Sequence, residues 1–180
     1  MYKINISSRT LHFLRPAGTS RGVYTTRKSY YVTLSDTNQP DIVGSGECAT
    51  LPDLSCDAMT DEEYEQKLRS FCDDFCHTGV IDIAAMRPYP SMLFGLETAK
   101  AQLDVKGSIN FFNTAFGRGE EGITINGLVW MGTFDEMYQR LETKLKAGFH
   151  CVKLKIGAID FEKELDLIRH IRQTFTREQV

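Results

Sequence analysis

The hydrophobic and polar positions near the start of the chain alternate in the way that is typical of β-strands. β-Branched and aromatic residues dominate two runs, residues 2–13 and 24–34, and a third run, the predicted strand at residues 42–50, follows a turn. Residues 15–22, between the first two runs, are rich in turn formers and predict a flexible loop. Gly44 and Gly46 interrupt the third run, which indicates a bulge or a close approach of another backbone. The pattern predicts a three-stranded antiparallel meander.

Helical spacing of apolar residues replaces this alternation after residue 60. Thr60 and Glu63 have the spacing of a capping box, so we expect a helix to begin there and to end near Gly79, where a left-handed stop is favoured. Ser91 can cap a second helix that runs to about Leu103. Together with the meander, these helices predict a small α+β domain over roughly the first 120 residues.

Strand and helix patterns alternate over the rest of the chain. Strands are expected at residues 123–131 and 150–156, and helices at residues 134–147 and 161–175. Such repetition builds a parallel sheet or a barrel, because each helix returns the chain to the start of the next parallel strand.

Composition narrows the class of protein. The chain has 180 residues, 42% of them hydrophobic, which is enough for an ordinary core. Its formal net charge is -3 without a basic stripe, which argues against nucleic acid as a partner. Residues 1–8 do not resemble a signal peptide, and no run approaches the ~18 apolar residues that span a bilayer. The five scattered cysteines are typical of reduced thiols, so we expect a soluble, cytoplasmic protein that does not bind membranes.

Lys153 and Lys155 are the candidate catalytic residues, because side chains two positions apart on a strand share one face of the sheet. Such a pair is more often the wet face of a half-exposed strand. In a β/α barrel that face is the interior, where two ammonium groups are costly unless they take part in chemistry. A nearby positive charge and partial desolvation both help a lysine to lose its proton, as a lysine base must near neutral pH.

Three further motifs have plainer interpretations. Residues 117–122 match G-x-G-x-x-G, but they precede a strand instead of opening a helix, so we interpret them as a turn or linker. Cys72, Cys76 and His77 suggest zinc, yet zinc normally needs four ligands, so we interpret the two cysteines as small buried hydrophobic residues. Trp130 and Met131 are interpreted as core residues, with the lining of a substrate pocket as the alternative.

Three segments resemble the enolase superfamily, and specifically its muconate-lactonising branch. Residues 94–99, F-G-L-E-T-A, resemble the F-A-L-E-T-A helix of that branch's capping domain. Residues 148–157, G-F-H-C-V-K-L-K-I-G, are similar to its segment G-F/Y-x-x-F/V/I-K-L/I/V-K-I/V/L-G. Residues 16–22, P-A-G-T-S-R-G, resemble the mobile loop that the o-succinylbenzoate synthase group closes over its substrate.

The resemblance implies both a fold and a reaction. The fold is an α+β capping domain at residues 1–122, followed at residues 123–180 by the first two β/α units of an incomplete TIM-type barrel. The reaction begins with removal of a proton from the carbon next to a carboxylate, and Mg²⁺ holds the resulting enediolate. In the family the second lysine of K-x-K is the base or acid, so the resemblance assigns that role to Lys155 and electrostatic support to Lys153.

The resemblance also implies a small-molecule carboxylate substrate and a loop that encloses it. The loop residues expected to enclose the substrate are Arg15, Gly18, Thr19, Ser20 and Arg21. Gly18 and Gly22 are expected to provide the hinge of this loop.

Within the branch, the loop favours the o-succinylbenzoate synthase group, whose members are lyases that catalyse a dehydration in menaquinone biosynthesis. Dipeptide epimerases, N-succinylamino acid racemases and muconate cycloisomerases of the same branch are alternatives. A non-catalytic binding module is an alternative of another class.

The length of the chain limits what it can do under this interpretation. A complete β/α barrel takes about 250 residues, whereas residues 123–180 provide only two strands and two helices. We therefore expect the Mg²⁺ ligands beyond residue 180, no metal ligand within the chain, and no activity from the chain alone.

Overall fold

The computed structural model describes residues 1–19, 21–51, 54–157 and 159–180. The chain forms two compact units: one comprises Met1–Leu14 and Thr25–Glu121, and the other comprises Arg15–Tyr24 and Gly122–Val180. The segment Arg15–Tyr24 is thus grouped with the second unit, although we assigned it to the capping domain. The predicted domain boundary at residue 122 stays a prediction. No helix of the described residues is long and apolar enough to cross a bilayer.

Three consecutive strands form an antiparallel sheet in the order β1 (Tyr2–Thr19), β2 (Gly22–Asp36) and β3 (Gln39–Ala49). The predicted meander is therefore confirmed. The flexible loop predicted at residues 15–22 is wrong, because β1 continues to Thr19 and β2 begins again at Gly22. Turn-forming composition does not exclude strand pairing, and here the two neighbouring strands continue almost to the turn.

Helix α1 (Asp61–Thr78) begins and ends where its sequence signals predict. The Thr60 hydroxyl oxygen accepts a hydrogen bond from the Glu63 N–H at 3.3 Å, and a Glu63 carboxylate oxygen accepts one from the Thr60 N–H at 3.1 Å. Gly79 ends the helix with a φ of 71°, in the left-handed region that favours glycine. Both the predicted capping box and the predicted stop are confirmed.

The short helix α2 (Ile83–Met86) precedes α3 (Pro90–Asp104). The prediction that Ser91 caps the second long helix is wrong, because the helix begins at Pro90 without a side-chain cap. Ser91 instead donates its backbone N–H and its hydroxyl to Asp57, at 2.7 and 2.6 Å. This partner is 34 residues away, so no local pattern reports it.

The core of the first unit lies between one face of the sheet and the helices α1 to α3. Its buried residues are Tyr30, Val32, Leu34, Cys48, Tyr64, Leu68, Phe71, Cys72, Phe75, Met86, Met92, Leu96 and Ala99. α3 lies so close to β3 that a Cβ atom at Gly46 would overlap the carbonyl oxygen of Gly95, and one at Gly44 would overlap that of Ala99. The predicted close approach of a backbone at both glycines is confirmed.

Strand and helix alternate in the second unit, in the order β4 (Gly127–Val129), α4 (Phe134–Lys146), β5 (Val152–Leu154) and α5 (Phe161–Thr174). β4 and β5 are parallel, as the repetition predicts. Both strands are shorter than predicted, because ladder pairing is confined to these few residues while β-branched composition extends beyond them. The buried residues of this unit are Val129, Met137, Leu141, Leu167 and Ile171.

Two of the three motifs with plainer interpretations behave largely as expected. Residues 117–121 form turns and bends ahead of β4. Cys72 is buried, and this burial raises the pKa of its thiol to about 12. Cys76 is only half-buried, so the expectation of burial is wrong for this residue.

Candidate active site

Parallel pairing with β4 places the two candidate lysines at the carboxyl end of β5. Lys153 lies opposite Leu128 in the ladder. Lys155 is the residue after the last paired position, and its backbone N–H donates to the Val129 carbonyl oxygen at 3.1 Å. The backbone of this end of β5 is therefore held at both lysines.

The two faces of this small sheet have opposite environments. Val129 is fully buried, and Val152 and Leu154 pack against the same core. Since side chains alternate along a strand, Lys153 and Lys155 lie on the other face. Lys153 is exposed and Lys155 is half-buried. The lysines thus share a face, as their spacing predicts, while their catalytic roles stay a prediction.

Trp130 connects Lys155 to the β1–β2 hairpin within the second unit. The Lys155 Nζ atom lies 5.9 Å from the centre of the Trp130 ring, a distance at which a protonated lysine is attracted to the ring. The indole N–H donates to the Gly18 carbonyl oxygen at 3.0 Å. Trp130 is 38% exposed, so its interpretation as a core residue is wrong. Val129 on the opposite face is the core residue of this strand end.

The residues predicted to enclose the substrate lie at the tip of this hairpin. The Thr19 hydroxyl donates to the Gly22 carbonyl oxygen at 3.0 Å and accepts from the Arg21 N–H at 3.2 Å. Arg15 is exposed, and Ser20 lies outside the described residues. A hydrogen bond from Trp130 joins Gly18, one of the predicted loop residues, to the lysine-bearing sheet.

The expected hinge glycines differ in their backbone conformation. Gly22 has a φ of 153°, which residues with a side chain rarely adopt. Gly18 lies within β1 and has no positive φ. Whether either glycine acts as a hinge stays a prediction.

Arg140 on α4 holds the carboxyl end of β4, and the sequence reasoning missed this role. Its guanidinium donates to the carbonyl oxygens of Trp130 and Met131, at 3.0 and 2.9 Å. Glu136 lies 3.7 Å from the same guanidinium. Hydrogen bonds from Thr133 lower the pKa of the Glu136 carboxyl, which keeps it charged beside Arg140. The spacing of Thr133 and Glu136 as a capping box was the available signal in the sequence.

Glu164 orders the loop that follows β5, and it too was missed. Its side chain is only 5% exposed, and one carboxylate oxygen accepts the Gly157 N–H at 2.6 Å. Gly157 has a φ of 98°, which favours glycine at this position. Ile156, which lies beyond the end of β5 at Leu154, is 56% exposed.

The described residues do not fit a magnesium site. No three histidine, cysteine, aspartate or glutamate side chains among them are arranged to hold a metal ion. The chemistry that these residues can perform is proton transfer by the lysines, together with stabilisation of negative charge on a bound group by the same ammonium groups.

No family model matches the chain. The chain is 35% identical, over 199 aligned residues, to the curated o-succinylbenzoate synthase of Desulfotalea psychrophila strain LSv54. The match covers 94% of this chain and 53% of that protein. The chain therefore spans about half the length of the curated relative that it matches.

Solved structures show the same relationship. MenC from Desulfotalea psychrophila LSv54 is 28% identical, with a TM-score of 0.71, covering 99% of this chain and 55% of that one. An enolase family member from Agrobacterium tumefaciens, with homology to dipeptide epimerases, is 17% identical, with a TM-score of 0.68. The match covers 94% of this chain and 50% of that one. The o-succinylbenzoate synthase of Thermosynechococcus elongatus BP-1, complexed with Mg, is 19% identical, with a TM-score of 0.64. The match covers 98% of this chain and 49% of that one. The last two likenesses concern the fold alone.

Fold and comparisons together define the class of protein. The chain consists of an α+β capping domain followed by the start of a β/α barrel, as in enzymes of the enolase superfamily. Within that superfamily the chain is related to o-succinylbenzoate synthase, in sequence and in structure. The resemblance inferred from its motifs is therefore confirmed.

Proposed function

We propose that this chain contributes the lysine pair and the enclosing hairpin of an o-succinylbenzoate synthase-like active site, which acts on a small-molecule carboxylate in menaquinone biosynthesis. The observation that carries the proposal is the position of Lys153 and Lys155 on one face of β5, at its carboxyl end. Active sites of β/α barrels are built at the carboxyl ends of the strands. The relationship to a curated o-succinylbenzoate synthase supports the choice of reaction.

In the proposed reaction Lys155 acts first as a base. Its neutral amine takes a proton from the carbon next to the substrate carboxylate, and the electron pair left behind spreads onto that carboxylate. Lys153 stays protonated and stabilises the developing negative charge. The ammonium group formed on Lys155 then gives a proton to the departing hydroxyl group, so that water leaves and a carbon–carbon double bond remains.

We also propose that the complete active site uses Mg²⁺, which offsets negative charge on the substrate carboxylate when bound. The related synthase of Thermosynechococcus elongatus contains Mg in its active site. The described residues of this chain offer no suitable cluster of ligands. This chain matches 49% of that synthase, and the proposal places the metal ligands in the part that the match does not cover.

Deuterium exchange tests the role of Lys155 without depending on the final product. In D₂O, an active base introduces deuterium at the carbon next to the carboxylate, which mass spectrometry of the substrate detects. In the longest natural polypeptide that contains this sequence, Lys155→Ala should lower both exchange and o-succinylbenzoate formation by about 10²- to 10⁴-fold, the usual contribution of general acid–base catalysis.

Two further variants make this test specific. Lys155→Arg keeps the positive charge but removes the base, so it should lose exchange as severely as the alanine variant. Lys163→Ala removes an exposed lysine from α5 and should change neither rate. Full exchange in the Lys155→Ala protein would remove Lys155 from the mechanism, whereas the absence of exchange in the unaltered protein would favour the non-catalytic alternative.

A dipeptide epimerase is the second candidate. The Agrobacterium tumefaciens protein with this homology is bound to L-Ala-L-Glu and shares the fold. Epimerisation begins with the same proton removal but returns a proton to the opposite face of the carbon, without loss of water. Incubation with L-Ala-L-Glu in D₂O therefore separates the two: an inverted, deuterated dipeptide without o-succinylbenzoate synthase activity would support the epimerase.

A further inference from the structure

Trp130 combines three contacts that meet at the carboxyl end of β4. Its indole N–H donates to the Gly18 carbonyl oxygen at 3.0 Å. Its ring centre lies 5.9 Å from Lys155 Nζ. Its own carbonyl oxygen accepts a hydrogen bond from Arg140 at 3.0 Å. The backbone of Trp130 is thus held by α4, while its side chain contacts both the hairpin and the lysine.

The partner of the indole is a backbone atom near the end of β1. Thr19 bonds to both Gly22 and Arg21, and these bonds shape the hairpin tip beside Gly18. The indole N–H is a donor only, so a carbonyl oxygen is a suitable partner for it. Gly18 and Trp130 are 112 residues apart in sequence, and the bond between them closes a large loop of chain.

We propose that Trp130 is a positioning residue: its indole N–H latches the tip of the β1–β2 hairpin to β4, and the same ring fixes the position of Lys155. The hairpin and the lysine are thereby coupled, since displacement of the tip releases the ring against which the lysine lies. The hydrogen bond that holds the hairpin is inferred from the contacts alone, whereas its effect on turnover rests on the proposed function.

Trp130→Phe separates the two parts of this role, because it keeps an aromatic ring but removes the hydrogen-bond donor. In hydrogen–deuterium exchange of the 180-residue chain, this variant should exchange the backbone amides of residues 15–24 about three- to tenfold faster, the effect of losing one hydrogen bond. Exchange in α1 should not change. Equal exchange of residues 15–24 in the two proteins would overturn the latch.

Leu128→Ala provides the matched control. Leu128 lies on the same face of β4 and is also 38% exposed, but it has no donor group. Its truncation should leave exchange of residues 15–24 unchanged. If this variant accelerated exchange as much as Trp130→Phe, the hairpin would depend on general packing of β4, and the assignment to the indole N–H would be wrong.

A second measurement does not require the Trp130→Phe protein to fold. Trp130 is the sole tryptophan of the chain, so its fluorescence reports this contact directly. Replacement of residues 17–21 by two glycines removes the hairpin tip and should raise the acrylamide quenching constant about twofold, with emission at longer wavelength, because the half-exposed ring gains access to solvent. An unchanged quenching constant would contradict the latch.

The consequence for turnover is tested separately in the longest natural polypeptide that contains this sequence. Trp130→Phe, which loosens the hairpin, should raise KM for the carboxylate substrate by about three- to tenfold. The value of kcat should change less, as expected for loss of substrate enclosure. A normal KM combined with accelerated exchange would confine Trp130 to holding the fold. Loss of the proposed activity altogether would leave the exchange result unaffected.

Discussion

The two compact units of this chain cover their sheets in different ways. In the first unit, helices α1 and α3 close a broad core over one face of an antiparallel sheet. In the second, α4 and α5 contribute a smaller core on one face of β4 and β5, while Leu128 and Trp130 on the other face are each 38% exposed. One unit therefore has a closed core, and the other has a packed face and an open face.

The difference shows where stability and chemistry are located. An antiparallel sheet tolerates one solvated face, whereas a parallel sheet is normally buried on both faces. The open face of β4 and β5 is the face that carries Lys153, Lys155 and Trp130. Residues that would be costly in a packed interior thus lie where the described residues leave the sheet uncovered.

Truncation of one buried leucine in each core provides the largest test of this comparison. Leu68 on α1 and Leu141 on α4 are both fully buried. We expect Leu68→Ala to lower the free energy of unfolding by about 3–5 kcal/mol and Leu141→Ala by about 2–3 kcal/mol, because a core beside an open face relaxes further into the cavity. Urea titrations followed by far-UV circular dichroism and by Trp130 fluorescence measure both. Equal losses would show that the second core is as rigid as the first.

Close packing of α3 on β3 is a feature of the first unit alone. A methyl group at Gly46 would overlap the backbone of Gly95, so we expect Gly46→Ala to destabilise this unit by about 1–3 kcal/mol. Gly122→Ala is the matched control, since no atom lies within 4 Å of its added methyl group. Thermal unfolding measures both variants, and a wild-type melting temperature for Gly46→Ala would contradict the close approach.

Alkaline pH should weaken the first unit. Burial raises the pKa of the Cys48 and Cys72 thiols from 9.0 to about 12. As pH rises above 9.0, the unfolded chain loses these protons first, so the stabilisation is complete below that pH and is lost progressively between 9.0 and about 12. Urea titrations at increasing pH measure how steeply the free energy of unfolding falls with pH. Replacement of both cysteines by alanine should make this fall less steep.

A smaller effect is expected from the helix caps, which are chemically identical in the two units. Thr60 caps α1 and Thr133 caps α4 through the same capping box. Each change to alanine should cost about 1 kcal/mol. We expect the same loss of free energy to unfold a larger fraction of the second unit than of the first, because the core of the second unit is smaller. Trp130 fluorescence follows the unfolded fraction of the second unit. Equal unfolded fractions in both units would weaken the comparison.

The α4 cap should also depend on pH. Hydrogen bonds from Thr133 lower the pKa of Glu136 from 4.5, so its contribution is present above that pH and is lost as pH falls through the lower, folded value. Glu136→Gln should remove this acid dependence, whereas Thr133→Ala, which keeps the backbone N–H that is the larger cause, should only reduce it. An unchanged acid response in the Glu136→Gln protein would assign it to another carboxyl group.

Features that depend on residues a few positions apart were predictable from the sequence. The capping box of Thr60 and Glu63 is satisfied within four residues, and the stop at Gly79 needs only a left-handed backbone. The shared face of Lys153 and Lys155 follows from the alternation of side chains along any strand. The order of strands and helices and the resemblance to the enolase superfamily also depend on short stretches of sequence, so both could be inferred before the fold was known.

Features that join distant segments were decided only by the tertiary structure. Composition marks Trp130 as apolar and suggests a core, but whether another element covers its ring depends on how β4 packs. Its partner Gly18 lies 112 residues away, and the Asp57 that binds Ser91 lies 34 residues away. Local sequence determines which conformation each segment prefers, whereas the pairing of donors and acceptors across segments exists only once those segments are brought together.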